Sequence, residues 1–340
     1  MRPGLLILLI AITFYTCKPR RERAVIRCFY HWKGQFELGD KDKERLEHLG
    51  VARMYVRFFD VDDGLVKGPV PKGEVELSWL ERTSCKLIPV VFITNRALLC
   101  LKDTNEVMDL AGKIYHKIKG MIHYRPAFVF DELQLDCDWT AKTKKNYFCL
   151  IRSLHQMGLK MSVTLRLWQL KDPVTSGVPP AARVMLMAYN LSAPEKPREN
   201  NSILDPETLK QYLDKSGTYP LPSDVALPLF SWGKLFRDGS FMGLINNLTE
   251  QDLLHSKGFK KTRTHEFVSS RDTVIGNFFL REGDLIRVEE VDPAVLSKAA
   301  GMISDYLKED SLNVAFYHYD TLLINRYGNE LLEKIYRRFR

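Results

Sequence analysis

Asp131-Glu-Leu-Gln-Leu-Asp-Cys-Asp138 alternates two kinds of side chain, Leu133, Leu135 and Cys137 on one parity and Glu132, Gln134, Asp136 and Asp138 on the other. Successive side chains of a strand point to opposite faces, so this stretch reads as a strand with one apolar and one polar, acidic face. The same pattern recurs in Lys160–Leu170, where Val163, Leu165 and Leu167 alternate with Ser162, Thr164, Arg166 and Trp168. It returns in Met54, Val56 and Phe58 against Tyr55, Arg57 and Phe59. An open parallel sheet covered by helices on both faces would give nearly continuous apolar runs instead. Strands with an apolar back and a charged front suit a closed barrel whose inner layers are polar.

The surrounding sequence supplies the rest of such a barrel. Strand candidates are Ala24–Trp32, Ala52–Asp60, Lys86–Thr94, Ala127–Asp138, Lys160–Leu170, Arg183–Asn190, Asp224–Trp232 and Leu312–Tyr319. Helical periodicity marks Asp42–Leu49, Asn105–Ile118, Ala141–Met157, Pro293–Lys308 and Asn329–Phe339. Eight strands alternating with helices predict an α/β protein, a (β/α)8 TIM barrel over residues 25–340. No GxGxxG follows the first strand, which argues against a dinucleotide fold and leaves no cofactor to expect. Residues 237–292 break the rhythm. They contain the hairpin-like Thr273–Leu280 and Asp284–Val291, so a small α+β insertion after strand seven is expected, a long loop being the alternative.

Composition excludes other classes. Of 340 residues 45% are hydrophobic and 27% charged, which excludes a disordered or collagen-like chain. The net charge of +8 is scattered, with no basic-aromatic stripe, so nucleic acid is not an expected partner. Residues 1–16 have the form of a secretory signal, a basic start followed by the apolar run Leu5–Tyr15, too short for a span of about 20 residues. Cys17 follows in the context Phe14-Tyr15-Thr16-Cys17, which resembles a bacterial lipobox. That resemblance implies lipidation of Cys17, a membrane-anchored tether over residues 17–24, and a place in the cell envelope facing periplasm or exterior. Simple secretion is the alternative, and a monomer is expected.

Five further cysteines, Cys28, Cys85, Cys100, Cys137 and Cys149, show no CxxC or metal spacing and read as free thiols, with one disulfide as the alternative. Asp60-Val-Asp62-Asp63-Gly64 resembles the start of a calcium loop, but its twelfth position is Pro71, so no metal is expected.

The chemistry concentrates on the fourth strand. Gln134, Asp136 and Asp138 share a face at a spacing of about 6.5 Å, and Asp136 and Asp138 fall near the C-terminal end, where this fold keeps its working residues. Two carboxylates so close push one pKa up, giving the acid-and-anion pair of glycoside hydrolysis. The competing reading is structural, with Arg57 and Arg166 neutralising Glu132, Asp136 and Asp138.

The run resembles DxxDxDxE, the fourth-strand motif of glycoside hydrolase family 18, the chitinase-type barrels. Asp131 and Asp136 match its first and third Asp, Gln134 replaces the second Asp and Asp138 replaces the Glu. Met187-Ala-Tyr189-Asn190 resembles the family's sixth-strand Met-x-Tyr-Asp/Asn, and the insertion falls where many members carry an α+β lobe. Leu227-Pro-Leu-Phe-Ser-Trp232, with Gln134-Leu-Asp-Cys-Asp138, also resembles a family of bacterial exported barrel proteins. The resemblance implies retaining, substrate-assisted hydrolysis of an N-acetylated polysaccharide. Asp138 would be the acid, Asp136 would orient the acetamide and Tyr189 would hydrogen-bond it. Gln134 and Asn190 would line the same substrate site. An Asp is a methylene shorter than Glu, and about 1 Å of misplacement can cost a hundredfold in rate. A weakened glycan-binding lipoprotein and a structural envelope lipoprotein are therefore carried as alternatives.

Trp32, Trp168 and Trp232, each at an expected strand end, are candidate sugar-stacking platforms, with packing as the competing role. His31 is a candidate second acid/base or a structural histidine, and Tyr317 and Tyr319 are candidates for the pocket floor.

Overall fold

The computed structural model describes residues 23–34, 38–64, 68–77, 83–123, 128, 130–195 and 200–340. The expected signal segment, Cys17, the tether up to residue 22 and the start of the strand expected from Ala127 lie outside the described residues. The strands in chain order are β1 (Ala24–His31), β2 (Arg53–Asp63), β3 (Pro69–Lys72), β4 (Lys86–Ile93), β5 (Glu132–Asp136), β6 (Lys160–Arg166), β7 (Arg183–Met187) and β8 (Ser223–Pro228). They continue with β9 (Trp232–Arg237), β10 (Ser240–Asn246), β11 (Phe259–Arg263), β12 (Glu266–Ser269), β13 (Thr273–Ile275), β14 (Phe278–Leu280), β15 (Leu285–Glu289) and β16 (Ser311–Tyr317).

Eight of these strands close a parallel barrel in the order β1-β16-β8-β7-β6-β5-β4-β2, and β2 pairs back with β1. The expected (β/α)8 architecture is therefore the observed one. The apolar parity points outward. Leu133, Leu135, Val163 and Leu165 are fully buried in the layer between barrel and helices. Over β5 the helix Lys144–Gln156 buries Tyr147, Leu150, Ile151 and Leu154, and the Tyr147 hydroxyl donates to the Leu135 carbonyl at 3.3 Å. The helix Thr104–Ile122 presents Val107, Leu110, Ala111, Ile114 and Ile118 at the three- and four-residue spacing of a single face. Its first turn is capped by the Asp103 carboxylate, which accepts from the Glu106 amide at 3.0 Å.

The inner parity is polar in layers. At the bottom Arg183 grips Asp224 with two bonds of 2.6 Å, and the Asn313 amide donates to the same carboxylate at 2.6 Å. Ser162 donates to Glu132 at 2.9 Å. Above them Tyr30 and Tyr55 stack at 5.0 Å, and the Tyr30 hydroxyl donates to Gln134 Oε1 at 2.6 Å. Most of these buried polar groups satisfy one another, although Gln134 Nε2 has no hydrogen-bond partner among the described residues. Cys28, Cys85, Cys100, Cys137 and Cys149 are free thiols.

Three boundaries differ from expectation. The strand from Lys160 stops at Arg166, because Leu167–Lys171 turns into a short helix on which the Gln169 side chain accepts from the Arg166 amide at 2.8 Å. The stretch Asp224–Trp232 is two strands, β8 ending at Pro228 and β9 starting at Trp232. The lobe that β9 opens is a five-stranded antiparallel sheet, β10-β9-β15-β12-β11, with its own small core of Leu235, Ile245, Phe267, Ile286 and Val288. Within it β13 pairs with β14, whereas β15 pairs with β9 and β12, so the hairpin expected between residues 273–280 and 284–291 does not form. Gly276 turns the shorter hairpin at φ 55°, a conformation glycine adopts without strain. Among the described residues no helix is long and apolar enough to cross a membrane.

Candidate functional site

A cavity of about 540 Å³ opens at the C-terminal ends of the barrel strands, between them and the first strands of the lobe. This is the end at which the loops of such a barrel gather functional side chains. Its aromatic wall is Trp32, Phe92, Tyr189, Phe230, Trp232 and Tyr317. Tyr317, closing β16, is the hub. Its ring lies 5.1 Å from Tyr189, 5.5 Å from Trp32 and 5.8 Å from Phe230. Tyr319, also expected at the floor, is buried instead against Phe29 at 5.3 Å.

Asp136, the last residue of β5, lines the cavity at 6% exposure and accepts from the Thr164 hydroxyl at 2.6 Å. Its carboxyl is pushed up to about 6, mainly by burial. The charges of Asp138 and Asp60 add to the rise, and Arg166 and the Thr164 hydroxyl oppose it. Asp138 stands beyond the strand end, half-exposed and outside the lining. Arg166 binds it with two donors, Nε at 2.5 Å and Nη2 at 3.2 Å. Both of its oxygens are thus engaged by the guanidinium, which turns the Asp138 carboxyl toward Arg166.

The expected neutralising pairs are thus partly rearranged. Arg166 does meet Asp138, but Arg57 turns to Asp60 through Nε at 2.6 Å, and Glu132 is served by Ser162 and, at 3.9 Å, Arg53. The reason is local. The β2–β4 register shifts between Arg57 and Phe59, which brings Arg57 and Asp60 together at the cavity rim.

The other expected residues divide. Tyr189 lines the cavity with its phenol kept neutral by burial, beneath the Arg166 guanidinium at 5.9 Å. Asn190 lines it too, at φ 55°, a left-handed conformation that Asn tolerates. Trp32 and Trp232 face the cavity. Trp168 does not, because it rides on the helix Leu167–Lys171, where it is 43% exposed. Gln134 lies one layer below, fully buried. His31 is also fully buried outside the lining, and burial lowers its pKa to about 3, so its ring is uncharged near neutrality. Lowering the pH from 6.5 toward 3 should remove the stability this neutral histidine contributes, since the unfolded ring protonates first.

Lys33, Asp60, Phe230, Ser231, Asn246, Asn247 and His318 also line the cavity, and the sequence did not single them out for it. Asp60 had been read within the calcium-like run. There Asp62 instead accepts from Lys72 at 3.0 Å, Arg96 at 2.7 Å and Thr94 at 2.8 Å. Among the described residues no group of three His, Cys, Asp or Glu side chains is placed to hold a metal.

Behind the wall lies a buried clamp. Glu289 on β15 accepts from the Trp232 indole at 2.9 Å, the Ser202 amide at 3.1 Å and Lys234 Nζ at 3.1 Å, and also from the Ser202 hydroxyl. One carboxylate thus ties a barrel loop to the lobe and fixes the plane of Trp232.

The Asp138–Arg166 pair has a measurable consequence. Asp138→Asn should cost about 1–2 kcal/mol, the low range for a pair whose acidic member is half-exposed, readable as a lower denaturant midpoint at unchanged slope.

No family model matches the chain, and no curated protein matches it in sequence. Solved structures do match in shape. A chitinase from Chromobacterium violaceum is 14% identical, with 91% of this chain and 99% of that chain covered at a TM-score of 0.51. The spore cortex-lytic enzyme SleL of Bacillus megaterium is 13% identical, with 92% and 74% covered at 0.54. The corresponding enzyme of Bacillus cereus is 12% identical, with 94% and 75% covered at 0.53. The chain has the (β/α)8 barrel fold of this chitinase and these cortex-lytic enzymes.

Proposed function

We propose that the cavity binds a carbohydrate and that the chain is a glycan-binding barrel on a glycoside hydrolase scaffold. The observation that carries this reading is the cavity's composition. Six aromatic rings surround a buried Asp136 whose carboxyl is pushed up to about 6, with Asn190, Asn246 and Asn247 also in the lining. Ring faces suit the apolar faces of pyranoses, and amides and a carboxyl suit their hydroxyls and acetamides. In this arrangement Asp136 donates or accepts a hydrogen bond at the ligand, Trp232 and Tyr317 supply area, and Tyr189 contributes its hydroxyl.

Hydrolysis through Asp138 is disfavoured by its pairing with Arg166, which must be broken before Asp138 can deliver a proton. One observation supports a second reading, retaining hydrolysis with Asp136 as proton donor: its raised pKa fits an acid working near pH 6. The two separate in one experiment. Calorimetric titration with N-acetylglucosamine tetrasaccharide, chosen because the similar folds include chitinases, should show binding that Trp232→Ala weakens by about tenfold or more. Product analysis of the same mixture should show no release of smaller sugars. Release abolished by Asp136→Asn would establish the hydrolytic reading, and absence of heat with every glycan tried would end both.

The amino-terminal residues support a further part of the proposal, export with a lipid on Cys17 and residence in the cell envelope. Mass spectrometry of the mature protein should find a diacylglyceryl cysteine at residue 17, and an unmodified start beyond it would refute the anchor.

A further inference from the structure

We infer that the sugar held in this cavity carries a carboxylate, an inference that rests on the carbohydrate-binding reading and narrows its ligand class. Lys33, Arg57 and Arg166 reach the cavity wall, where Asp60 and Asp136 are the carboxylates among the described lining residues. The carboxylates that hold Lys33 and Arg166, namely Asp320 and Asp138, stand outside the lining. Three cations and the three anions that pair with them cancel in number, but not in place. The cations line the cavity, and two of the anions do not.

Both arginines are fixed before any ligand arrives. Arg57 donates to Asp60 through Nε and Nη2 and lies 5.8 Å from the Trp32 ring centre. Arg166 donates to Asp138 through the same two nitrogens and lies 5.9 Å from the Tyr189 ring centre. A guanidinium has a third nitrogen with two more N–H groups. In Arg166 that nitrogen, Nη1, has no hydrogen-bond partner among the described residues, and because it has almost no surface open to solvent a ligand reaches it only when a neighbouring side chain shifts. Buried donors in folded proteins are nearly always satisfied, so an acceptor belongs beside it. A planar, stacked guanidinium with an unpaired N–H edge is matched best by an anionic oxygen acceptor. The uncharged amides of Asn190, Asn246 and Asn247 are left for sugar hydroxyls. The ligand chemistry that uses both sets is a pyranose bearing a carboxylate, either a uronic acid or a sugar with a carboxylate-bearing ether.

Calorimetric titration of the full chain near pH 5, where Asp136 is largely protonated and opposes an anion least, tests this with three probes. They are N-acetylglucosamine tetrasaccharide, the tetrasaccharide in which glucuronate alternates with N-acetylglucosamine, and the disaccharide of N-acetylglucosamine and N-acetylmuramic acid. At least one carboxylate-bearing probe should bind about tenfold or more tightly than the neutral one at about 0.05 M salt, with the ratio shrinking toward one at about 0.5 M. Whichever acidic probe binds more tightly identifies the source of the carboxylate. Arg57→Gln should narrow the ratio, and the wild-type comparison decides the matter if that variant does not fold. Equal or tighter binding of the neutral tetrasaccharide overturns the inference and leaves the carbohydrate reading standing. Failure of all three probes removes the carbohydrate reading itself.

Discussion

Asp136→Asn is expected to raise the melting temperature by about 4 °C near pH 7.5 and to leave it unchanged near pH 4. The folded chain holds the Asp136 proton more tightly than the unfolded chain, with a pKa raised from 3.8 to about 6. For a carboxyl raised in this way, the contribution to stability is fully present below about pH 4 and is lost as the pH rises through 6. At 1.36 kcal/mol per pKa unit, the loss is about 3 kcal/mol by neutral pH. An asparagine amide has no charge to desolvate, and its oxygen can still accept from the Thr164 hydroxyl. The variant should therefore gain what the wild type loses, and it should bind glycan more weakly, a trade of function for stability. Thermal melts of both proteins at the two pH values check this. An equal gain at both, or a loss near pH 7.5, would show that Asp136 is not a carboxyl destabilised by burial.

Glu289→Ala should have the opposite sign and a comparable size. It removes from the interior the carboxylate shared by Lys234, Trp232 and Ser202, all in contact with it and all buried. Losing one member of a buried ionic cluster costs about 3–5 kcal/mol, or about 4 to 7 °C of melting temperature in a chain of this length. Glu289→Gln keeps acceptors for the Trp232 indole and the Ser202 groups but removes the charge opposite Lys234, so its loss should be intermediate. Because Glu289 sets the plane of Trp232, both variants should also weaken glycan binding measured well below their melting temperatures. A Glu289→Ala protein as stable as wild type would show that the lobe is held to the barrel by its apolar core alone.

The barrel was legible because its evidence is local. Alternation with a period of two is visible in seven residues, and in β5 and β6 it sorted outward Leu133, Leu135, Val163 and Leu165 from inward Gln134, Asp136, Ser162 and Thr164. Alternation could not mark where the strand from Lys160 ends. Leu167 continues the apolar parity, yet Gln169 reaches back to the Arg166 amide, starts a helix and carries Trp168 out of the site. Arg166 is not one of the short polar residues that mark a helix start, so the cap left no sequence sign. The lobe was less legible because its pairings are long-range. β15 pairs with β9 across five intervening strands, and nothing within residues 284–291 distinguishes that partner from the nearer residues 273–280.

The acidic run shows the same limit. That Asp136 and Asp138 lie near the barrel mouth followed from parity and fold, but which of them lines the cavity depends on Arg166 and on the loop that begins at Cys137. Arg57 was assigned the wrong partner because the β2 register shift has no sequence mark.

The most direct measurement is a crystal structure of the protein soaked with N-acetylglucosamine tetrasaccharide. The account predicts unbroken sugar rings in the cavity, stacked on Trp232 or Tyr317, within hydrogen-bond reach of the Asp136 carboxyl, with the Asp138–Arg166 pair intact. Sugar rings bound elsewhere on the molecule, or a cleaved ligand with Asp138 released from Arg166 and pointing at the scissile oxygen, would contradict it.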